Sequence, residues 1–184
     1  AEDNGYELCH VRPGKPHPFG VSGLIYAFNS TWKEEKDRGD GAFMKCVDLA
    51  KEVLSRMIVR SREKHEADRF VEEAYNKAPD KRLVVLENHY PAREILAKYP
   101  EPLFMVRPSS VDETWQLETI KNDVQGFKNR KDLPKKWGGK RGKELQQLTF
   151  VRDAVFCHRN LFIAVAESKE GAIALAEKAL STNN

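Results

Sequence analysis

The 184-residue chain is 40% apolar and 32% charged, a balance that fits one globular domain, with or without an extension, and excludes disorder throughout. Its formal net charge is only +3, yet residues 121–143 hold nine Lys or Arg against two Asp, a net +7. The chain therefore reads as a basic lobe on a mildly acidic body, and basic lobes attract phosphates. Cys9, Cys46 and Cys157 are scattered and odd in number, which argues against a disulfide framework or a zinc finger and for a reducing, intracellular setting. No apolar run approaches the roughly 20 residues that span a bilayer, so no membrane partner is expected. The start is polar and acidic, with no signal peptide and no initiating Met, and the expectation is a piece of something longer.

In chain order, residues 1–40 are rich in Gly, Pro and aromatics, the composition of an irregular segment. Within it, residues 21–28 are apolar enough to dock on another domain. From residue 41, Phe43, Cys46, Val47, Ala50, Val53, Leu54 and Met57 recur at helical spacing, and Ala67, Phe70, Val71, Ala74 and Tyr75 form a second stripe. The first stripe reads as core or interface packing. One helix over 41–77 would be roughly 55 Å long, too long for a compact body of this size, whose radius of gyration is roughly 16 Å. The region 41–78 is thus one long helix or a broken pair, bending near Ser61 or packing one end on a missing domain.

After Pro79 strands begin, at 82–87, 103–107 and 114–120, with a short helix over 92–98 between the first two. Residues 142–148 predict another short helix. Residues 154–158 and 161–165 predict a tight hairpin over Arg159-Asn160, and Ser168 caps a final helix with Ala172, Leu175, Ala176, Ala179 and Leu180 inward. The fold class is α+β, or mixed α/β: long N-terminal helices, then a roughly five-stranded mixed sheet with flanking helices over 79–184.

Several runs in a fixed order carry a resemblance. They are Asp3-Asn4-Gly5; Asn29-Ser30-Thr31-Trp32 ahead of a helix ending in Val71-Glu72-Glu73-Ala74; Trp115-Gln116-Leu117; Leu133-Pro134-Lys135-Lys136-Trp137-Gly138-Gly139 with Arg141; Phe156-Cys157-His158; and Ala164-Val165-Ala166-Glu167-Ser168-Lys169-Glu170-Gly171-Ala172. Together they resemble the C-terminal half of the melanocyte proliferating gene family of the DHH phosphoesterase superfamily. The resemblance implies a two-lobed, metal-dependent hydrolase, a 3′–5′ exonuclease-like enzyme acting on RNA. Its N-terminal DHH lobe holds Mn or Mg through His and Asp clusters, and a DHH-associated C-terminal lobe closes on the substrate. It implies a cytoplasmic protein in a bacterium, and a nuclear or mitochondrial one in a eukaryote. None of the His-Asp clusters occurs here. The family's Asp-Ala-x-Asp-Asn-Gly stretch survives from its Ala, so Asp3 is the one candidate metal neighbour, residues 1–40 are a remnant of the metal lobe, and no bound cofactor is expected in this piece. The matching strand end, residues 163–167, has neither the Gly nor the His frequent in such domains, and each Cβ there keeps a ligand further from the backbone.

The candidate binding residues each have a plainer alternative. Arg141, Arg130 and the flanking lysines can neutralise phosphates, and Trp137 among them can stack on a base, or else be tucked into the core. Ser168 and Lys169 start a helix whose free N–H groups attract anions, or Ser168 simply caps it. His158 is a phosphate or ribose contact, or a packed residue at a strand end. Arg107 points into a cleft, or pairs with Glu87 or Glu118. Cys9, His10 and His17 lack a fourth ligand for zinc. The expected partners are RNA or nucleotide phosphates, the missing metal-binding lobe and, through the overlong helix, a second copy. A non-catalytic nucleic-acid-binding module and an assembly element are the competing readings.

Overall fold

A computed structural model describes residues 21–29, 31–33, 40–123, 126 and 128–182. The chain divides into two compact units, Ala1–Ser61 and Arg62–Asn184. Among the described residues no helix is long and apolar enough to cross a membrane.

The first unit contains helix α1 (Val21–Tyr26) and the start of helix α2 (Asp40–Lys77), which is one helix of 38 residues rather than a pair. The segment 21–28, read as part of an irregular stretch, thus opens with a helical turn and a half. The Cys46 thiol donates to the Ile25 carbonyl at 3.9 Å. The apolar stripe of α2 is not core in this unit: Phe43 is 65% exposed, Leu54 58% and Met57 62%, with Met44, Val53 and Ile58 also open. Helical spacing identifies a shared face, but a face is buried only where another element covers it.

In the second unit β1 (Leu83–Val85), β2 (Phe104–Pro108), β3 (Trp115–Thr119), β4 (Ala154–Cys157) and β5 (Ile163–Ala166) form one sheet in the order β1-β2-β3-β5-β4. Only β1 and β2 are parallel, and the other pairings are antiparallel. The mixed five-stranded sheet and its flanking helices match the expected class. Alternation assigns the two faces. On one, Phe104, Val106, Leu117, Ala164 and Ala166 pack against Ala172, Leu175, Ala176 and Ala179 of α5 (Lys169–Ser181). On the other, Val84 and Met105 pack against Val71 and Tyr75 of α2 and against Ile95 and Leu96 of α3 (Arg93–Leu96). The small side chains of α5 let the helix lie close on the sheet. The predicted tight hairpin over Arg159-Asn160 is wider: β5 starts at Ile163, because the His158 ring and carbonyl accept the N–H groups of Asn160 and Leu161, and Leu161 turns to φ 60°.

One ion cluster and one capping network lock these layers. Arg107, 8% exposed, donates to Glu118 at 2.7 Å and to the Tyr90 carbonyl at 3.0 Å, while Arg93 of α3 donates to the other Glu118 oxygen at 2.7 Å. Asp153 accepts the N–H and hydroxyl of Ser168, whose oxygen in turn accepts the Gly171 N–H at 3.0 Å. A Cβ at Gly171 would fall inside the Asp153 carboxylate. Alanine ordinarily favours a helix interior over glycine, yet Gly171→Ala is expected to destabilise the chain by about 1–3 kcal/mol through overpacking. A urea midpoint equal to or above wild type at unchanged slope would contradict this.

Candidate nucleic-acid interface

The basic segment is built on the outer edge of β4. The Leu133 N–H donates to the Leu161 carbonyl at 2.9 Å. A 3₁₀ turn, Lys135–Trp137, then rotates Leu133 and Trp137 inward and leaves Lys135 and Lys136 outside. Gly139, at φ 76°, reverses the chain so that its N–H reaches the Cys157 carbonyl and the Cys157 N–H reaches the Lys140 carbonyl, both at 3.0 Å. Arg141 forms a bridge with Phe156 and ends up 5.3 Å above that ring, directly before α4 (Gly142–Thr149).

Trp137 is therefore not a stacking platform. Its side chain is 5% exposed and lies in the core with Leu133, Leu145 and Cys157, so no base can reach the indole while the unit is folded. The neighbouring Cys157 thiol is pushed up to about 12 by burial, which keeps it protonated and unreactive. Arg130 is likewise a strut. Its guanidinium donates to the carbonyls of Ala97, Tyr99 and Pro102 at 2.6–3.0 Å, tying the end of α3 to the turn before β2. Lys131 donates to the Leu180 carbonyl at the end of α5, where a cation suits the helix dipole.

What stays outside is Lys128, Lys135, Lys136, Arg141 and Lys143, with Lys140 half-buried and 3.5 Å from Glu144. Lys136 and Lys140 line a shallow groove with Glu144, Gln147 and Leu148. Arg141 is the one named candidate that sits on this surface, over an aromatic ring.

The other candidates lie elsewhere. Ser168 is the N-cap of α5 and Asp153 already occupies that helix start, so an incoming anion would meet a carboxylate. Lys169 pairs with Glu87 at 2.6 Å and lies 5.6 Å from the Trp115 ring, at the ends of β1, β3 and β5. His158 sits in the turn at the opposite ends, tilted on Phe162 at 4.4 Å. Arg107 takes the Glu118 alternative and lies buried against that carboxylate and the Tyr90 carbonyl. Asp3, Cys9, His10 and His17 lie outside the described residues. The residues named from sequence thus divide between the two ends and one edge of the sheet. Sequence reasoning passed over Asp153 and Arg93, and named Phe156 only within a run that carries the resemblance. Asp153 lies fifteen residues before Ser168, and only the folded hairpin brings them together. For Trp137 a signal existed, since Leu133 and Trp137 are apolar at i and i+4 amid lysines.

The divalent ion implied by the resemblance can be tested against the donor set. Among the described residues no group of three or more His, Cys, Asp or Glu could hold a metal. The described residues do not fit such an ion.

The geometry defines an α+β domain with a basic ledge along one sheet edge. Residues 1–180 match the MYG1_exonuc model, described as "Uncharacterised protein family (UPF0160)", and the chain belongs to that family. It is 26% identical to MYG1 protein C694.04c of Schizosaccharomyces pombe and 27% to MYG1 protein C27H6.8 of Caenorhabditis elegans, over 98% of this chain and 59% and 57% of theirs. It is 24% identical to the human protein named MYG1 exonuclease, over 98% of this chain and 52% of that one. The chain thus spans a little over half the length of these relatives. No solved structure matches it.

The two kinds of arginine and lysine are separable by stability. Arg130→Ala leaves three carbonyls short of a donor and is expected to cost about 1–3 kcal/mol. Lys136→Ala should stay within about 0.5 kcal/mol of wild type. Equal denaturant midpoints for the two variants would show that Arg130 is not a strut.

Proposed function

We propose that this chain is the substrate-gripping lobe of a metal-dependent phosphodiesterase that trims RNA from an end. A separate DHH-type lobe supplies the divalent ions, Mn or Mg, and the cutting chemistry. The observation that carries this reading is the ledge of Lys135, Lys136, Lys140, Arg141 and Lys143 beside the β4 edge, on which Lys135, Lys136 and Lys143 have no ion-pair partner among the described residues. Its family supports the choice of polymer chemistry, since relatives over the same span bear the name exonuclease. With the indole in the core, grip comes from phosphate contacts alone. Such contacts are blind to sequence and sensitive to salt, as suits an enzyme that moves along a strand. The scattered cysteines favour an intracellular site of action.

A fluorescence-anisotropy titration with single-stranded RNA tests the grip. Between about 50 and 200 mM salt the log–log slope is expected to be about −0.7 for each phosphate contacted, and Lys135→Ala/Lys136→Ala/Arg141→Ala should flatten it by about 2. Absence of binding at the low-salt end would remove the role. In the same samples Mn²⁺ should produce no cleavage, and hydrolysis would demand a metal site in this chain.

A second reading, assembly through α2, is favoured by the open apolar residues Phe43, Met44, Leu54, Met57 and Ile58. Contiguous apolar surface of this kind marks an interaction site. Sedimentation equilibrium is expected to show self-association that Leu54→Glu/Met57→Glu abolishes. A monomer at every concentration would end this reading.

A further inference from the structure

Opposite the basic ledge, β1 ends the sheet with no further strand beside it among the described residues, and this edge carries a pocket that phosphate gripping does not use. Four strand spacings, roughly 19 Å, separate the two edges. The pocket has a volume of about 420 Å³ and lies wholly within the second unit, in the range of small-molecule sites. Phe70, Ala74 and Lys77 of α2 form one wall, Leu83 and Val85 of β1 the floor, and Tyr90 closes an end. Phe70 stacks on Tyr90 at 5.3 Å and 10°, yet remains 41% exposed.

The floor has a defined hydrogen-bonding pattern. The Phe104 N–H donates to the Arg82 carbonyl, and the Leu86 N–H donates to the Val106 carbonyl. In a parallel ladder the groups of one residue point to one side, so Arg82, Val84 and Leu86 face β2 and Leu83 and Val85 face away. The Leu83 N–H is used by the Asp80 carbonyl. Among the described residues the outward Leu83 carbonyl, the Val85 N–H and the Val85 carbonyl remain, in the order acceptor, donor, acceptor.

We propose that this pocket binds the planar base of a nucleoside bearing an amino group next to a ring nitrogen, as adenine does. The amino group donates to the Leu83 carbonyl, the ring nitrogen accepts from the Val85 N–H, and the base plane rests against Phe70. Three features favour a base over other occupants. The aromatic wall suits a flat ring. The free edge is only three residues long and offers a single N–H, too little for an added peptide strand, which draws its affinity from repeated main-chain bonds. Glu73 and Glu87 stand at the rim, each paired with a lysine, so among the described residues no unpaired cation lines the pocket for a phosphate.

The test is a titration of the isotope-labelled 184-residue chain with adenosine, followed by amide proton–nitrogen correlation spectra. Saturable shifts are expected at Val85 and along residues 70–77. Dimethyladenosine, whose exocyclic nitrogen has no hydrogen, should bind at least about tenfold more weakly. Ala74→Phe fills the slot and should abolish the shifts. Phe70→Leu keeps the bulk, removes the ring, and should weaken binding in a chain whose other resonances are unmoved. A Val85 amide that does not respond, equal affinity for the two nucleosides, or binding that survives both substitutions would overturn the proposal. Shifts at Val85 caused by an extended valine-rich peptide and by no nucleoside would overturn it in favour of strand addition.

Discussion

Glu118 is the point on which the second unit turns. Its carboxylate is 2% exposed and sits between two guanidiniums, one from the neighbouring strand and one from a helix on the same face. A buried charge that loses a partner costs far more than the pair contributes when complete. The contact therefore acts less as glue than as a rule about register. β2 and β3 cannot slide, and α3 cannot lift, without stranding a charge in a medium that cannot solvate it. Arg107 extends the rule to the chain before α3 through the Tyr90 carbonyl. Because Tyr90 also closes the pocket on β1, the geometry of that pocket is tied to the same carboxylate.

A division of labour among like charges follows. The sequence offers nine cations between residues 121 and 143, and the fold sorts them by what they can reach. Arg130, whose planar fork can serve several carbonyls at once, becomes an internal brace. Lys131 reaches the end of α5. Those on the 3₁₀ turn and at the start of α4 face water because Trp137 and Leu145 take the inward positions beside them. Burial of the indole is thus the reason the lysines next to it are outside, and it takes the indole itself off the ledge.

The class of fold was legible because it rests on local periodicity. The apolar run at 103–106, the alternation at 114–120 and the small-residue stripe behind Ser168 each specify an element without reference to the rest. The candidate site was legible only in part, because a charged residue's role depends on what the chain brings within 3 Å of it. Arg130 and Arg141 are indistinguishable as letters, but one meets three carbonyls and the other a ring at the surface. The stripe from Phe43 to Met57 marks the opposite limit. Its period is helical and its helix is present, but no periodicity states what covers a face.

The two borders of the sheet are not equivalent. On the β4 side the segment at Gly139 and Lys140 is stitched to Cys157 and then coils at once into α4, so no neighbour can continue the ladder there. The β1 side has three residues and no such guard among the described residues. Runaway edge-to-edge polymerisation needs two sticky margins. With the β4 margin guarded and the β1 margin too short to hold an added strand, the described sheet offers no second surface on which a fibre could grow, and β1 is left open to a small visitor.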